Sequence, residues 1–128
     1  MSKTINYKEG SYNGEVNEKG QRHGYGTFYW DGNIKFSGKW KDNEAISGKL
    51  YWSNGDIYEG PVEYINNSVH VNGKGTTYYK TGEIYVGKHQ NGNPNGKGTM
   101  YYTNGSVYKG DWNDGYYFGN GKLSYLGG

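Results

Sequence analysis

The segment Gly98-Thr99-Met100-Tyr101-Tyr102-Thr103-Asn104-Gly105-Ser106-Val107-Tyr108-Lys109-Gly110 reads as two short β-prone runs around an Asn-Gly turn. Asn-Gly between aromatic and β-branched residues is the strongest local hairpin signal, because both residues accept positive φ. The two terminal glycines are 12 residues apart, and the same interval separates Gly26 from Gly38, Gly48 from Gly60 and Gly75 from Gly87. Its middle carries Asp31-Gly32, Asn54-Gly55, Thr81-Gly82 and Asn104-Gly105. Each interval is therefore one hairpin with short arms.

Two signatures frame every hairpin. An aromatic-x-Gly triplet closes it: Tyr12 with Gly14, Phe36 with Gly38, Tyr58 with Gly60, Tyr85 with Gly87 and Tyr108 with Gly110. A Gly-x-Gly pair opens the next: Gly24/Gly26, Gly73/Gly75, Gly96/Gly98 and Gly119/Gly121, with Ile46 replacing the first glycine before Gly48. The stretches from triplet to pair vary in length and form the turns at the opposite edge. The longest contains Ile65-Asn66-Asn67-Ser68-Val69-His70, an insertion relative to its siblings. Residues 1–128 thus read as a single repeat array, with 1–11 a truncated leading hairpin and repeats starting near 12, 36, 58, 85 and 108.

Strand alternation divides the side chains between two faces. One face pairs glycines with large rings: Gly26, Phe28 and Trp30; Gly48, Leu50 and Trp52; Phe36, Gly38 and Trp40; Tyr108, Gly110 and Trp112. A glycine leaves a gap that a neighbouring ring covers, and stacked hairpins bury a layer no single hairpin stabilises alone. The other face carries Tyr29, Tyr51, Tyr78 and Tyr101 at one repeated position, with Ile57, Ile84 and Val107 on adjoining arms. Lys35, Lys39, Lys49, Lys88, Lys109 and Asp111 lie among them.

Composition agrees with a thin aromatic core. The 24 glycines and a hydrophobic fraction of 32% would suit a disordered chain, but the 18% aromatic content supplies buried area. Fourteen basic and 12 acidic residues are scattered, leaving a formal charge of +2 and no run that marks a nucleic-acid or anionic-membrane partner. With no cysteine there is no disulfide, thiol nucleophile or thiolate metal site, which fits a reducing compartment. No apolar stretch reaches the length of a membrane span. The expectation is a soluble, cytoplasmic protein.

The pattern resembles MORN repeats (membrane occupation and recognition nexus), whose unit Y-x-G-x-W-x-x-G-x-x-x-G-x-G is met by Tyr108, Gly110, Trp112, Gly115, Gly119 and Gly121. His89 stands where the family favours tryptophan in the Tyr85 unit, and Val16 does so in the Tyr12 unit. The resemblance covers residues 12–126. It implies an all-β fold, an elongated, twisted antiparallel meander of tandem β-hairpins with a groove along one side, and structural or adaptor roles.

Apparent catalytic motifs dissolve into the repeat. Gly92-Asn93-Pro94-Asn95-Gly96-Lys97-Gly98-Thr99 is one residue short of a phosphate-binding loop, and no helical pattern follows it. His23, His70 and His89 are far apart, and Asp31, Asp42, Asp56 and Asp114 sit at turns. Asp111 and Asp114 are the nearest thing to an acid–base pair. No catalytic residue, metal site or cofactor is expected.

What remains is binding. The reading is a non-catalytic protein-binding scaffold: an adaptor, an assembly subunit or an inhibitor acting by surface contact. Its candidate contacts are Tyr29, Tyr51, Tyr78, Tyr101, Ile57, Ile84, Val107 and His70. The alternative is a small-ligand or lipid-headgroup module using the groove between hairpins, with a polar pocket near Trp40, His70 and Trp112. The arm Lys122, Leu123, Ser124 and Tyr125 reads as an edge strand before a turn at Leu126-Gly127-Gly128, available for homodimer formation.

Overall fold

The computed structural model describes residues 2–125, which form strands and turns and no helix. Leu126, Gly127 and Gly128, where the sequence places a further turn, lie outside the described residues. Six strands make the first part of the sheet: β1 (Ser2–Asn6), β2 (Gly10–Val16), β3 (Arg22–Trp30), β4 (Ile34–Lys41), β5 (Glu44–Tyr51) and β6 (Ile57–Pro61). Five complete it: β9 (Gly73–Tyr78), β10 (Ile84–Gln90), β11 (Asn93–Tyr101), β12 (Val107–Asn113) and β13 (Tyr116–Ser124). Between them β7 (Glu63–Ile65) and β8 (Ser68–His70) pair only with each other. The main sheet is an 11-stranded antiparallel meander, β1-β2-β3-β4-β5-β6-β9-β10-β11-β12-β13, open at both edges.

The four 12-residue intervals are the hairpins β3–β4, β5–β6, β9–β10 and β11–β12. Their turns work differently from the sequence expectation. Neither Asn54 nor Asn104 has positive φ; only the following Gly55 and Gly105 do. Instead each asparagine side chain accepts from the backbone two residues on, Asn54 Oδ1 from Asp56 N (2.9 Å) and Asn104 Oδ1 from Ser106 N (2.8 Å). Two successive residues at positive φ occur at Gly32-Asn33 in the β3–β4 turn and, at the opposite edge, at Asp42-Asn43, Asn91-Gly92 and Asp114-Gly115.

The ladder brings the repeat residues into rows running across the strands. One row is Ile5, Tyr12, Phe28, Phe36, Leu50, Tyr58, Thr77, Tyr85, Met100, Tyr108 and Leu123, each paired with the next. Beside it runs a row of glycines. Tyr12, Tyr58, Tyr85 and Tyr108 each lay the phenol over Gly26, Gly75, Gly98 and Gly121 respectively, where a Cβ would collide with the hydroxyl. Each hydroxyl then donates to the carbonyl three residues on, those of Glu15, Pro61, Lys88 and Asp111. The Tyr-x-Gly spacing follows from that bond: the ring folds back along its own strand, and only glycine leaves room beneath it.

Trp40 and Trp112 sit edge-on against neighbouring tyrosines and donate their indole N–H to the carbonyls of Gly26 (3.1 Å) and Gly98 (3.2 Å). His89 takes the tryptophan position in its repeat. Its Nδ1 meets the Gly87 carbonyl at 2.9 Å and its Nε2 meets Thr77 Oγ1 at 2.7 Å. A carbonyl only accepts, so Nδ1 holds the proton and neutral Nε2 accepts from the threonine hydroxyl. Burial lowers the His89 pKa and keeps the ring uncharged.

The insertion is a second hairpin folded over the aromatic layer. Asn66 and Asn67, both at positive φ, turn β7 into β8, and Val62 N donates to Ile46 O (3.0 Å) to anchor the entry. Tyr64 meets Trp40 edge-on and its hydroxyl accepts from Arg22 (3.1 Å). The Arg22 guanidinium, only 5% exposed, lies 4.9–5.7 Å from the rings of Tyr7, Phe28, Trp40 and Tyr64. Its Nη2 also donates to the Asn43 carbonyl, whereas Nε has no partner.

Candidate functional site

The face away from the aromatic layer is open. Register places Ser11, Tyr29, Lys35, Tyr51, Ile57, Tyr78, Ile84, Tyr101, Val107 and Ser124 in one row, each opposite the next. Tyr29 and Tyr101 are 45% exposed and Tyr78 39%, so half of each ring meets solvent. Tyr51 is half-buried, with the Lys35 ammonium 4.7 Å from its centroid. The hydroxyls of these four tyrosines make no hydrogen bond among the described residues, unlike the four that cover glycines.

Two further rows run parallel to the tyrosines. The nearer contains Lys49, Glu59, Lys109 and Lys122; the farther contains Lys39, Lys74, Lys88, Lys97 and Asp111, with Glu15 at its β2 end. Counting Lys35, eight lysines stand against three carboxylates, a surplus of five positive charges on a chain whose formal total is +2. Alternation read from the sequence puts Lys35, Lys39, Lys49, Lys88 and Lys109 on this face; Lys74, Lys97 and Lys122 belong to it by the same alternation and were missed. Lys97 pairs with Asp111 and holds its carboxyl below the usual range, helped by a bond from Asn120 N. Lys74 instead lies directly opposite Lys88, and Lys109 opposite Lys122. Like charges directly opposed in a ladder destabilise it. Folding gives no reason for them.

Between rows the face is concave. A shallow depression of about 520 Å³ has Gly26, Gly38 and Gly48 as its floor and Tyr25, Thr27, Ser37, Lys39, Ser47, Lys49 and Glu59 as its walls. The glycine row thus has two consequences: it admits the tyrosine rings on one face and leaves a trough on the other.

Other sequence candidates lie elsewhere. Trp40 and Trp112 are 1% and 4% exposed and belong to separate core clusters, so the polar pocket expected near Trp40, His70 and Trp112 does not form. His70 lines a pocket of about 150 Å³ with Trp52, Val69, Val71 and Asn91. It adjoins a pocket of about 290 Å³ lined by Trp30, Ile34, Leu50, Trp52, Ser68 and Val69, between the inserted hairpin and the sheet. Asp111 faces Lys97 on the open face, while Asp114 sits in a turn beside Asn93, so the two do not converge as an acid–base pair. Among the described residues no group of three metal-ligating side chains occurs. No helix among them is long and apolar enough to cross a membrane.

β13 pairs with β12 on one side and, among the described residues, with nothing on the other. It is longer than the arm Lys122–Tyr125 read from sequence. It also presents Tyr116, Tyr117 and Phe118, exposed aromatics that the repeat pattern did not single out. Their signal was a consecutive aromatic triplet where the other repeats have no aromatic residue.

The geometry of hairpin, covered glycine and indole-to-carbonyl bond recurs where a known family pattern is found. The family model described as the MORN repeat matches residues 12–33, 47–57, 85–107 and 108–128, together more than half of the chain. No curated protein matches it.

Proposed function

The chain belongs to the MORN repeat family, and from that premise we propose that it is a non-catalytic protein-binding scaffold whose contact surface is the tyrosine row of the open face. MORN repeats generally mediate protein or membrane binding. The observation that carries the reading is the row itself: four half-exposed rings, recurring at every second strand, with free hydroxyls. Rings of this kind supply large contact area with a polar handle and little side-chain entropy to lose. Ile57, Ile84 and Val107 fill the spaces between them. An adaptor, an assembly subunit or an inhibitor acting by surface contact would each use such a face, in a reducing, cytoplasmic setting that suits a chain without cysteine.

The test is affinity capture with the wild type against Tyr51→Ala/Tyr78→Ala/Tyr101→Ala. These side chains stand outside the core, so the variant is expected to melt as the wild type does while losing its partner. Undiminished capture of the same partner rejects the face.

A small-ligand reading rests on one observation, the 290 Å³ pocket between Trp30, Trp52 and Val69 under the inserted hairpin, which is large enough for a small apolar group. Assembly through β13 is a separate proposal, resting on its one-sided pairing and its exposed Leu123 and Tyr125. Equal monomeric masses in solution for the intact chain and for one ending at Gly115 would remove it.

A further inference from the structure

The partner's chemistry follows from the spacing and charge of the open face, granted the reading that the tyrosine row is a contact surface. Tyr29, Tyr51, Tyr78 and Tyr101 lie on β3, β5, β9 and β11, so each is two ladder steps from the next. Two strand spacings measure about 9.4–9.8 Å. A polyproline II helix presents the same face every third residue, about 9.3 Å apart. Over the four rings it stays in step to within about 1.5 Å. An α-helical heptad advances about 10.5 Å and drifts by about 2–3 Å over the same distance. An extended strand repeats its face every 6.6–6.8 Å or so, and misses alternate rings.

Hydrogen bonding favours the same ligand. A polyproline II backbone has no internal hydrogen bonds, so its carbonyls are free to accept. The four tyrosine hydroxyls are free to donate, having no partner among the described residues.

Charge adds a direction. The lysine rows lie to one side of the tyrosines, beyond Lys49 and Lys109 to Lys39, Lys74 and Lys88. The opposed pairs Lys74/Lys88 and Lys109/Lys122 burden the sheet with no ion pair to any of the four among the described residues, as a surface kept positive for an anionic partner would.

We propose that the open face binds an acidic, proline-rich segment of another protein in the polyproline II conformation, every third residue seated between tyrosines and acidic side chains turned toward the lysine rows. A bilayer fits less well. Adjacent strands rotate by about 20–25°, so the tyrosine row turns as it runs; a slender peptide that winds with the sheet can follow that turn, whereas a plane cannot meet all four rings.

The experiment measures binding of the full chain to a synthetic peptide of Pro-Glu-Pro repeats, about twelve residues long so that it spans the row. The same length of Gly-Glu-Gly and of Pro-Lys-Pro repeats serve as controls, with phosphatidylserine vesicles and oligothymidylate alongside. The expected result is binding of the acidic proline peptide, about tenfold weaker for the glycine peptide because it must be ordered on binding. Lys88→Glu should weaken it by about tenfold again, as should added salt. Equal affinity for the glycine and proline peptides overturns the polyproline conformation. Binding of vesicles or oligothymidylate, with none of the peptide, overturns a protein partner. If the peptide fails but the tyrosine variant still loses its captured partner, only the partner chemistry falls. If the tyrosine variant binds the peptide like the wild type, the tyrosine face itself is wrong.

Discussion

The two halves of the sheet are built from the same repeat yet differ in depth. From β1 to β6 the aromatic layer has a roof: the inserted hairpin, with Tyr7 and the caged Arg22, closes over Tyr12, Phe28, Phe36, Trp40, Leu50 and Tyr58. From β9 to β13 none is present among the described residues, and the buried cluster shrinks to Tyr85, Met100, Tyr108 and Trp112, flanked by half-exposed Tyr79 and Tyr102. The repeat thus supplies a layer one side chain thick, and the departure from it supplies the third dimension. Stability in a solenoid is a sum over neighbouring units, so the unroofed half should open first.

The largest expected effect tests that directly. Trp40→Ala should cost about 3–5 kcal/mol in urea unfolding, because the indole touches Tyr12, Phe36 and Tyr64 and floors the arginine cage. Trp112→Ala, with fewer neighbours and Tyr117 half in solvent, should cost about 2–3 kcal/mol. Equal losses would show that the roof adds nothing to the repeat. Native-state hydrogen exchange supplies the residue-level check, with faster amides expected in β11–β13 than in β3–β5.

Next in size is a pair that should not differ. Gly26 and Gly98 lie under the phenols of Tyr12 and Tyr85 in the same way, so an added methyl meets the same ring in both halves. Each alanine variant should lose about 1–3 kcal/mol by overpacking, with the tyrosine hydroxyl pulled from its carbonyl. A much smaller loss at Gly98 would mean that the unroofed half can shift to accommodate it, which would place the difference in rigidity rather than in burial.

These contrasts mark how much was legible in the residues. The 12-residue interval fixes the hairpins and their register, and alternation from there yields both faces, because a repeat is its own alignment. The insertion was visible only as a break in period. Nothing local says that Tyr64 turns back onto Trp40. Arg22 was missed for the same reason: its four rings come from β3, β4, β7 and the β1–β2 turn, a convergence no short window contains. Exposure was equally illegible for the tryptophans. Trp30 and Trp52 line a pocket while Trp40 and Trp112 are sealed, although all four alternate with glycine.

His89 gives a smaller effect that sets one repeat apart. Its pKa is lowered by burial, so below the unfolded value of about 6.5 the unfolded chain binds a proton that the folded chain refuses. Stability from this site is fully present above that pH and falls as the solution is acidified toward the folded pKa. Thermal melts at successive pH values should show the loss in the wild type. His89→Trp, which restores the residue found at Trp40 and Trp112, should flatten that part of the profile whatever its effect at neutral pH. An unchanged profile would assign the acid sensitivity to other groups.

The smallest expected effect has the opposite sign, and it separates the two faces rather than the two halves. Lys88 lies opposite Lys74 with no carboxylate between them. Replacing Lys88 by Glu turns a repelling pair into an attracting one and should stabilise the sheet by about 0.2–1 kcal/mol. Natural chains commonly leave such gains unused, so a higher melt alone assigns no role to Lys88, whereas a lysine that holds an anionic partner must also lose affinity when its charge is reversed. The two measurements must therefore diverge in one variant: a melt that rises slightly and a binding affinity that falls. If both rise or both fall, Lys88 belongs to the same economy as the aromatic layer, and the open face has no charge set aside for recognition.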